Sequence, residues 1–366
     1  MRIKQLDVLR GVAVWLVLGR HMPFIDIYSG FGSGFLKIWE RMGWIGVDLF
    51  FVLSGFLVSG LLFKEYQSTG KIDVLLFLIR RGFKIYPGYY FLLLFTILVY
   101  FYVFKIAFSA RAIFEQIFFV QNYFFLLWDH TWSLAVEEHF YFLLVLFLLW
   151  CSRRRTADPF FDLPKAFVFL ALGCLVLRVQ NSIQNPQFGA QLHLFLTHLR
   201  IDSLMFGVVL SYAHHFHQEK FRQWVVAHKG WIAGLSAIML TPVFIFELPD
   251  TPFIYTYGLT LNYLGLGGMM MVFLYAVHIP EGQLNGLAKT GFFSYSIYLW
   301  HFPILRWVMP KMIEWTGITN TSLLVLIIIY FSMTISLGIW VARLIEIPCL
   351  RYRDRVFVKK KSIEAV

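Results

Sequence analysis

The stretch LDVLRGVAVWLVLGRH, residues 6–21, decides how this chain is read. Its run of Val, Leu, Ala and Trp is what a membrane-crossing helix needs, yet Asp7, Arg10, Arg20 and His21 interrupt it. A charge inside a span is costly and is kept where it faces a bundle interior or a water-filled cavity. At 100° per residue, the 11 residues from Arg10 to His21 make close to three turns. Both side chains therefore share one helix face, about 16 Å apart, with Val14 and Val17 between them. Asp7 stands three residues before Arg10, where the two can pair. The same residues also have an ordinary reading: Arg10 reaches back to headgroups and His21 marks the outer interface.

The rest of the chain agrees with a membrane setting. Of 366 residues, 59% are hydrophobic, 19% aromatic and 14% charged, against about half apolar and a quarter charged in a soluble domain. Apolar runs near the length of a bilayer crossing lie at 8–25, 43–63, 88–108, 134–151, 165–179, 199–213, 230–247, 254–277, 292–310 and 321–345. The expected fold is all-α: a multipass integral membrane bundle of about ten transmembrane helices. Residues 1–345 form its membrane domain and 346–366 a basic tail. The first apolar run has no small-residue cleavage site, so it is expected to stay as a signal anchor. The stretch 111–131 is apolar but broken. It is expected either to lie in the interface or to re-enter the membrane, where irregular backbone survives only against protein or water.

The net charge of +11 has a topological meaning. Alternate connections hold 22 Lys and Arg on one side and 8 on the other, which places both termini in the cytoplasm. SRRRT at 152–156 and RYRDRVFVKKK at 351–361 are the strongest markers. With the basic residues in short loops and no aromatic-and-basic sheet pattern, nucleic acid is excluded as a partner. Cys151, Cys174 and Cys349 are widely spaced. They match no zinc or disulfide framework and read as small apolar residues.

Four further stretches carry polar groups. In LIRRGFKIYPGYY (78–90), Arg81 and Lys84 are three apart and share a face that can clamp phosphate, or they anchor the cytoplasmic end of a span. Pro87 is expected to end or kink that run. In HTWSLAVEEHFYF (130–142), Ser133 is expected to cap a helix whose first turns hold Glu137 and Glu138. Acids there also suit the helix dipole. Glu137, beside an aromatic wall of Trp132, Phe140 and Tyr141, is a candidate to orient a base or sense an acceptor hydroxyl. In FFSYSIYLWHFPI (292–304), Ser294, Tyr298 and His301 fall on one face by their four- and three-residue steps, which suggests a lined cavity or a set of interfacial Tyr and Trp anchors. In WIGVDLFFVLSGF (44–56), Asp48 enters a span, and Ser54 and Gly55 allow close helix packing. HHFH at 214–217 lacks acidic partners and is not read as a metal site.

Together these stretches resemble the acyltransferase-3 family of bacterial integral-membrane O-acyltransferases. LDVLRGVAVWLVLGRH carries the family's arginine, ten residues, then histidine. GVDLFFVLSGFLVS, RRGFKIYP, HTWSLAVEEHFYFLL, SYSIYLWHFPI and LIEIPCLR follow in the family's order over nearly the whole chain. The resemblance implies a ten-helix fold. It also implies transfer of an acyl group, usually acetyl, from cytoplasmic acyl-CoA to a sugar hydroxyl. Carried over, His21 is the implied catalytic histidine and Arg10 the partner of its helix, Arg81 the CoA-side contact, Glu137 the acid of the tryptophan–serine–leucine motif, and Ser296 and His301 part of the cavity-lining span. From the residues themselves, Asp7 joins His21 and Glu137 in the catalytic set, Lys84 joins Arg10 and Arg81 as the acetyl-CoA contacts, and Trp132 and Tyr298 join Ser296 and His301 in the acceptor-binding set. The family's basic pair is usually arginine, two residues, arginine. Lys84 replaces the second and keeps the charge without the bidentate fork.

On this reading acetyl-CoA is a donor co-substrate and no cofactor or metal is held permanently. The partners are a carbohydrate or glycolipid acceptor and membrane lipids, and the site is the bacterial plasma membrane. Some relatives carry an extra hydrolase-like domain after the spans. Without one, the membrane domain must hand the acyl group to its acceptor or to a partner. Lipopolysaccharide, exopolysaccharide, a lipid-linked sugar and a small metabolite all remain open as acceptors. The alternative from another class is a proton-coupled transporter using the same Arg, His and Glu groups, though the repeated halves that transporters often show are not evident. Under either reading the polar groups are expected to gather around one wet passage.

Overall fold

The computed structural model describes residues 3–154, 156 and 158–358. Arg155 and residues 359–361, which belong to the two basic markers, lie outside the described residues. Sixteen α-helices are present among those described: α1 (Lys4–Arg20), α2 (Ser33–Met42), α3 (Ile45–Thr69), α4 (Val74–Tyr102), α5 (Ala110–Ile117), α6 (Trp132–Ser152), α7 (Leu163–Gln184), α8 (Ile201–Phe216), α9 (Gln218–Ala227), α10 (Lys229–Ile245), α11 (Leu259–Ala276), α12 (Asn285–Phe292), α13 (Ser294–Pro303), α14 (Met309–Thr316), α15 (Asn320–Val341) and α16 (Ile347–Arg353). No β-strand occurs among the described residues. In lipid every backbone polar group must be satisfied within its own segment, and helices do this without an edge.

Each of the ten apolar runs contains a helix. Among the described residues, six helical segments are long and apolar enough to cross a membrane, and seven if α9 and α10, bent by 75° at their junction, form one span. Pro87 neither ends nor breaks its helix, because α4 runs from Val74 through it to Tyr102. Ser133 is not a cap: α6 begins at Trp132, continuing a single 3-10 turn at Asp129–Thr131. The broken stretch 111–131 consists of α5 and two such turns, and it buries Glu115, Gln116, Gln121, Asn122, His130 and Thr131.

The chain folds as two compact units. Unit 1 comprises Met1–His21, Gly32–Ile72 and Trp132–Phe292, and unit 2 comprises Met22–Phe31, Asp73–Thr131 and Phe293–Val366. In unit 1, small residues let helix backbones touch. A Cβ on Gly55 would lie 1.9 Å from the Leu204 carbonyl oxygen, and one on Gly207 would lie 2.2 Å from that of Val52. The packing role expected of Gly55 is therefore the seam between α3 and α8. Helix α12 closes on α1 in the same way, with a Cβ on Gly291 only 1.8 Å from the Asp7 carbonyl oxygen. In unit 2, Gly338 of α15 meets the backbone of Ile297 in α13 at 2.6 Å by the same measure.

Candidate functional site

The candidate residues divide between the units: Asp7, Arg10, His21, Trp132 and Glu137 lie in unit 1, and Arg81, Lys84, Ser296, Tyr298 and His301 in unit 2.

In unit 1, α1 holds the Arg10–His21 spacing expected of a helix. Asp7 and Arg10 approach to 4.0 Å one turn apart. Asp7 acts on Arg10 rather than on His21, since the 14 residues from Asp7 to His21 span about 21 Å at 1.5 Å per residue. His21 follows the last residue of α1, and its Nδ1 lies 3.0 Å from the Val17 carbonyl oxygen. A carbonyl only accepts, so Nδ1 carries the hydrogen and Nε2 the lone pair. The adjacent Arg20 is ion-paired with Glu40 of α2. In α6, Glu137 is partly buried, and its neighbour His139 makes a 2.7 Å bond from Nδ1 to the Thr197 hydroxyl. Trp132 is 7% exposed. It stacks on Phe195 at 4.8 Å, and the Arg200 guanidinium lies over its ring at 5.3 Å. Its ring is engaged by protein on this side of the unit.

Unit 1 also contains a charged group that the sequence reading did not assemble. Arg200 is ion-paired with Asp48, and Arg178 with Asp202 at 2.8 Å; all four side chains are 1–3% exposed. Arg178 also donates to the Thr260 hydroxyl at 2.7 Å. The 8 Lys and Arg of the second set of connections include Arg178 and Arg200, at the two ends of 178–200. Helix α7 runs on to Gln184 and takes Arg178 inside, and Arg200 caps α8 with its side chain turned inward. The signal available was Asp202, an acid two residues from Arg200 at the start of an apolar run. The imidazoles of HHFH are bound to protein: His214 to the Tyr275 hydroxyl, His215 to the Ser211 carbonyl and His217 to the Tyr212 hydroxyl.

In unit 2, Lys84 is ion-paired with Glu346, whose other carboxylate oxygen accepts from Ser296 at 2.9 Å. Glu346 lies in a π-helical turn, Ala342–Glu346, between α15 and α16, and such turns recur at functional sites. Ser296 thus holds an acid rather than standing alone on a lined wall. Glu346 stood in the quoted LIEIPCLR motif without a role. Tyr298 and His301 come together as expected, and they gather His130. The Tyr298 hydroxyl donates to the His130 carbonyl at 2.6 Å, and His301 Nδ1 bonds the Tyr298 carbonyl. The two imidazole rings meet edge to face at 4.9 Å. Arg81 is partly buried, about one turn before Lys84 in α4.

A family model described as "Acyltransferase domain", that of the acyltransferase-3 family, matches residues 3–343. The chain belongs to this family. Two similar proteins are the O-acetyltransferase OatA of Staphylococcus aureus strain NCTC 8325 / PS 47, 29% identical over 322 residues, and that of strain MRSA252, 28% identical over 322 residues. In both, the match covers 79% of this chain and 51% of the relative, so the chain spans about half the length of the relatives it matches. No solved structure matches it.

Proposed function

We propose that this protein is a membrane O-acyltransferase. It moves an acetyl group from cytoplasmic acetyl-CoA to a hydroxyl of a surface or lipid-linked carbohydrate. It works from the bacterial plasma membrane, as a bundle of about ten spans with both termini in the cytoplasm. Family membership and O-acetyltransferase relatives support the reaction class. The observation that carries the reading further is the His21 bond to the Val17 carbonyl, which fixes the imidazole tautomer and gives Nε2 the lone pair of a general base. As the acceptor oxygen attacks the thioester carbonyl, Nε2 takes the hydroxyl proton. Collapse of the tetrahedral species breaks the C–S bond, and the imidazolium returns the proton to the leaving CoA thiolate. In a second route, Nε2 itself attacks and carries the acyl group briefly before the hydroxyl takes it.

Each unit brings its own charges to this reading. Arg10, oriented by Asp7, is the cation of unit 1's catalytic helix. Arg81 and Lys84 are the phosphate-binding cations of unit 2, and a phosphate must displace Glu346 from Lys84 to use it. Glu137 in unit 1, and Tyr298 and His301 in unit 2, are each assigned to the acceptor. The test is radiolabelled acetyl-CoA added to inverted membrane vesicles. Label in carbohydrate supports the transferase, whereas solute flux without label supports a carrier.

A further inference from the structure

Helix α13 runs into a proline, and the gap this leaves is filled from another part of unit 2. Pro303 has no N–H, so the carbonyl of Leu299, four residues before it, receives no donor from that position of its own helix. Leu299 is buried, and a buried carbonyl needs a partner. His130 supplies one. Its Nε2 lies 3.1 Å from the Leu299 carbonyl oxygen, 169 positions away in the chain. A carbonyl only accepts, so Nε2 carries the hydrogen.

The same residue touches both acceptor candidates of α13. His130 belongs to the 3-10 turn Asp129–Thr131. Its ring stacks on Phe302 at 4.5 Å and meets the His301 ring edge to face at 4.9 Å. Its carbonyl accepts from the Tyr298 hydroxyl at 2.6 Å. Its neighbour Asp129 pairs at 3.1 Å with Arg306, which lies in the π-helical turn Ile304–Val308 that follows the proline. The 3-10 turn therefore grips α13 on both sides of the missing bond, at Tyr298 and Leu299 before it and at Arg306 after it. His301 stands between Leu299 and Pro303, in the segment whose ladder lacks that link.

We infer that His130 is a positioning residue: its Nε2–H stands in for the N–H that Pro303 lacks, and this clasp sets the orientation of Tyr298 and His301. The use of that orientation in acceptor binding rests on the transferase reading; the clasp stands without it.

Three substitutions test it in the full chain in lipid. His130→Gln keeps an N–H donor without the ring. His130→Phe keeps a flat ring against Phe302 without the donor. Pro303→Ala returns the helix's own N–H. In solid-state NMR of chain labelled with nitrogen-15 histidine, the signals that His130→Gln removes are expected to include a protonated Nε2; an unprotonated Nε2 overturns the clasp. In thermal unfolding, His130→Phe is expected to lower Tm by about 2–6 °C, the scale of one orphaned buried carbonyl, and by less than half as much when Pro303→Ala is also present. Equal losses in the two backgrounds overturn it. If His130→Phe does not fold, the NMR comparison decides.

The positioning role is read from label transfer in vesicles given radiolabelled acetyl-CoA, per folded protein and well below Tm. His130→Phe is expected to slow transfer several-fold at an unchanged KM for acetyl-CoA, and His130→Gln to restore most of the rate. Full transfer by His130→Phe, or a Gln variant as slow as the Phe variant, overturns the role. A wild type that transfers no label sinks the transferase reading alone, since the NMR and unfolding measurements still decide the clasp.

Discussion

Arg200→Met is the sharpest structural test of unit 1. The Arg200 and Asp48 side chains are 3% and 1% exposed, so removing the cation leaves a carboxylate sealed in an apolar bundle. Breaking one partner of such a pair costs about 3–5 kcal/mol, most of it the uncompensated charge left behind. Methionine fills much of the volume over Phe51 and Trp132, where the guanidinium sits at 5.6 and 5.3 Å, which keeps the loss electrostatic rather than steric. At roughly 2 °C per kcal/mol for a chain of this size, Tm is expected to fall by about 6–10 °C. Asp48→Leu added to Arg200→Met removes both charges and is expected to restore most of the loss, since replacing a buried pair by apolar groups is often neutral. The assay is thermal unfolding of detergent-solubilised protein followed by size-exclusion fluorescence. A fall of under about 2 °C for Arg200→Met, or a double variant less stable than the summed singles, would refute the buried-pair argument.

Three other outcomes follow from the geometry. Glu346→Gln frees Lys84 from its carboxylate partner and is expected to tighten acetyl-CoA binding several-fold by titration; weaker binding would remove Lys84 from the phosphate contacts. Lys84→Arg keeps the charge and adds a bidentate fork, so CoA affinity should hold or rise, and a large loss in the same titration counts against the phosphate reading. Gly207→Leu pushes a side chain into the Val52 carbonyl and should cost about 1–3 kcal/mol, read as reduced folded yield and Tm, with Gly230→Leu, whose Cβ meets nothing within 4 Å, as the neutral control.

Local pattern carried much of the fold. Every apolar run holds a helix because chain length and hydropathy are local properties, and the Arg10–His21 spacing needs only a helix to be true. Gly55 was legible as a packing residue for the same reason. Partner choice was not legible. Asp48 meets a residue 152 positions away and Lys84 one 262 away, and helical period says which face a residue occupies but not which helix lies opposite. Arg178 and Arg200 were misplaced because polar residues around 180–191 imitate a water-facing loop. Pro87 does not end its run, because a proline's missing hydrogen bond removes one link of a helix that continues for 29 residues. His130 sat in a quoted motif, yet its link to Tyr298 and His301 spans 168 residues.

The central claim is that the Nε2 lone pair of His21 serves acyl transfer, and His21→Ala tests it most directly. With vesicles matched for protein abundance and given radiolabelled acetyl-CoA, the variant is expected to transfer label at least about 100-fold more slowly than wild type, the scale of losing a general base. Transfer at the wild-type rate would contradict the account and take His21 out of the chemistry.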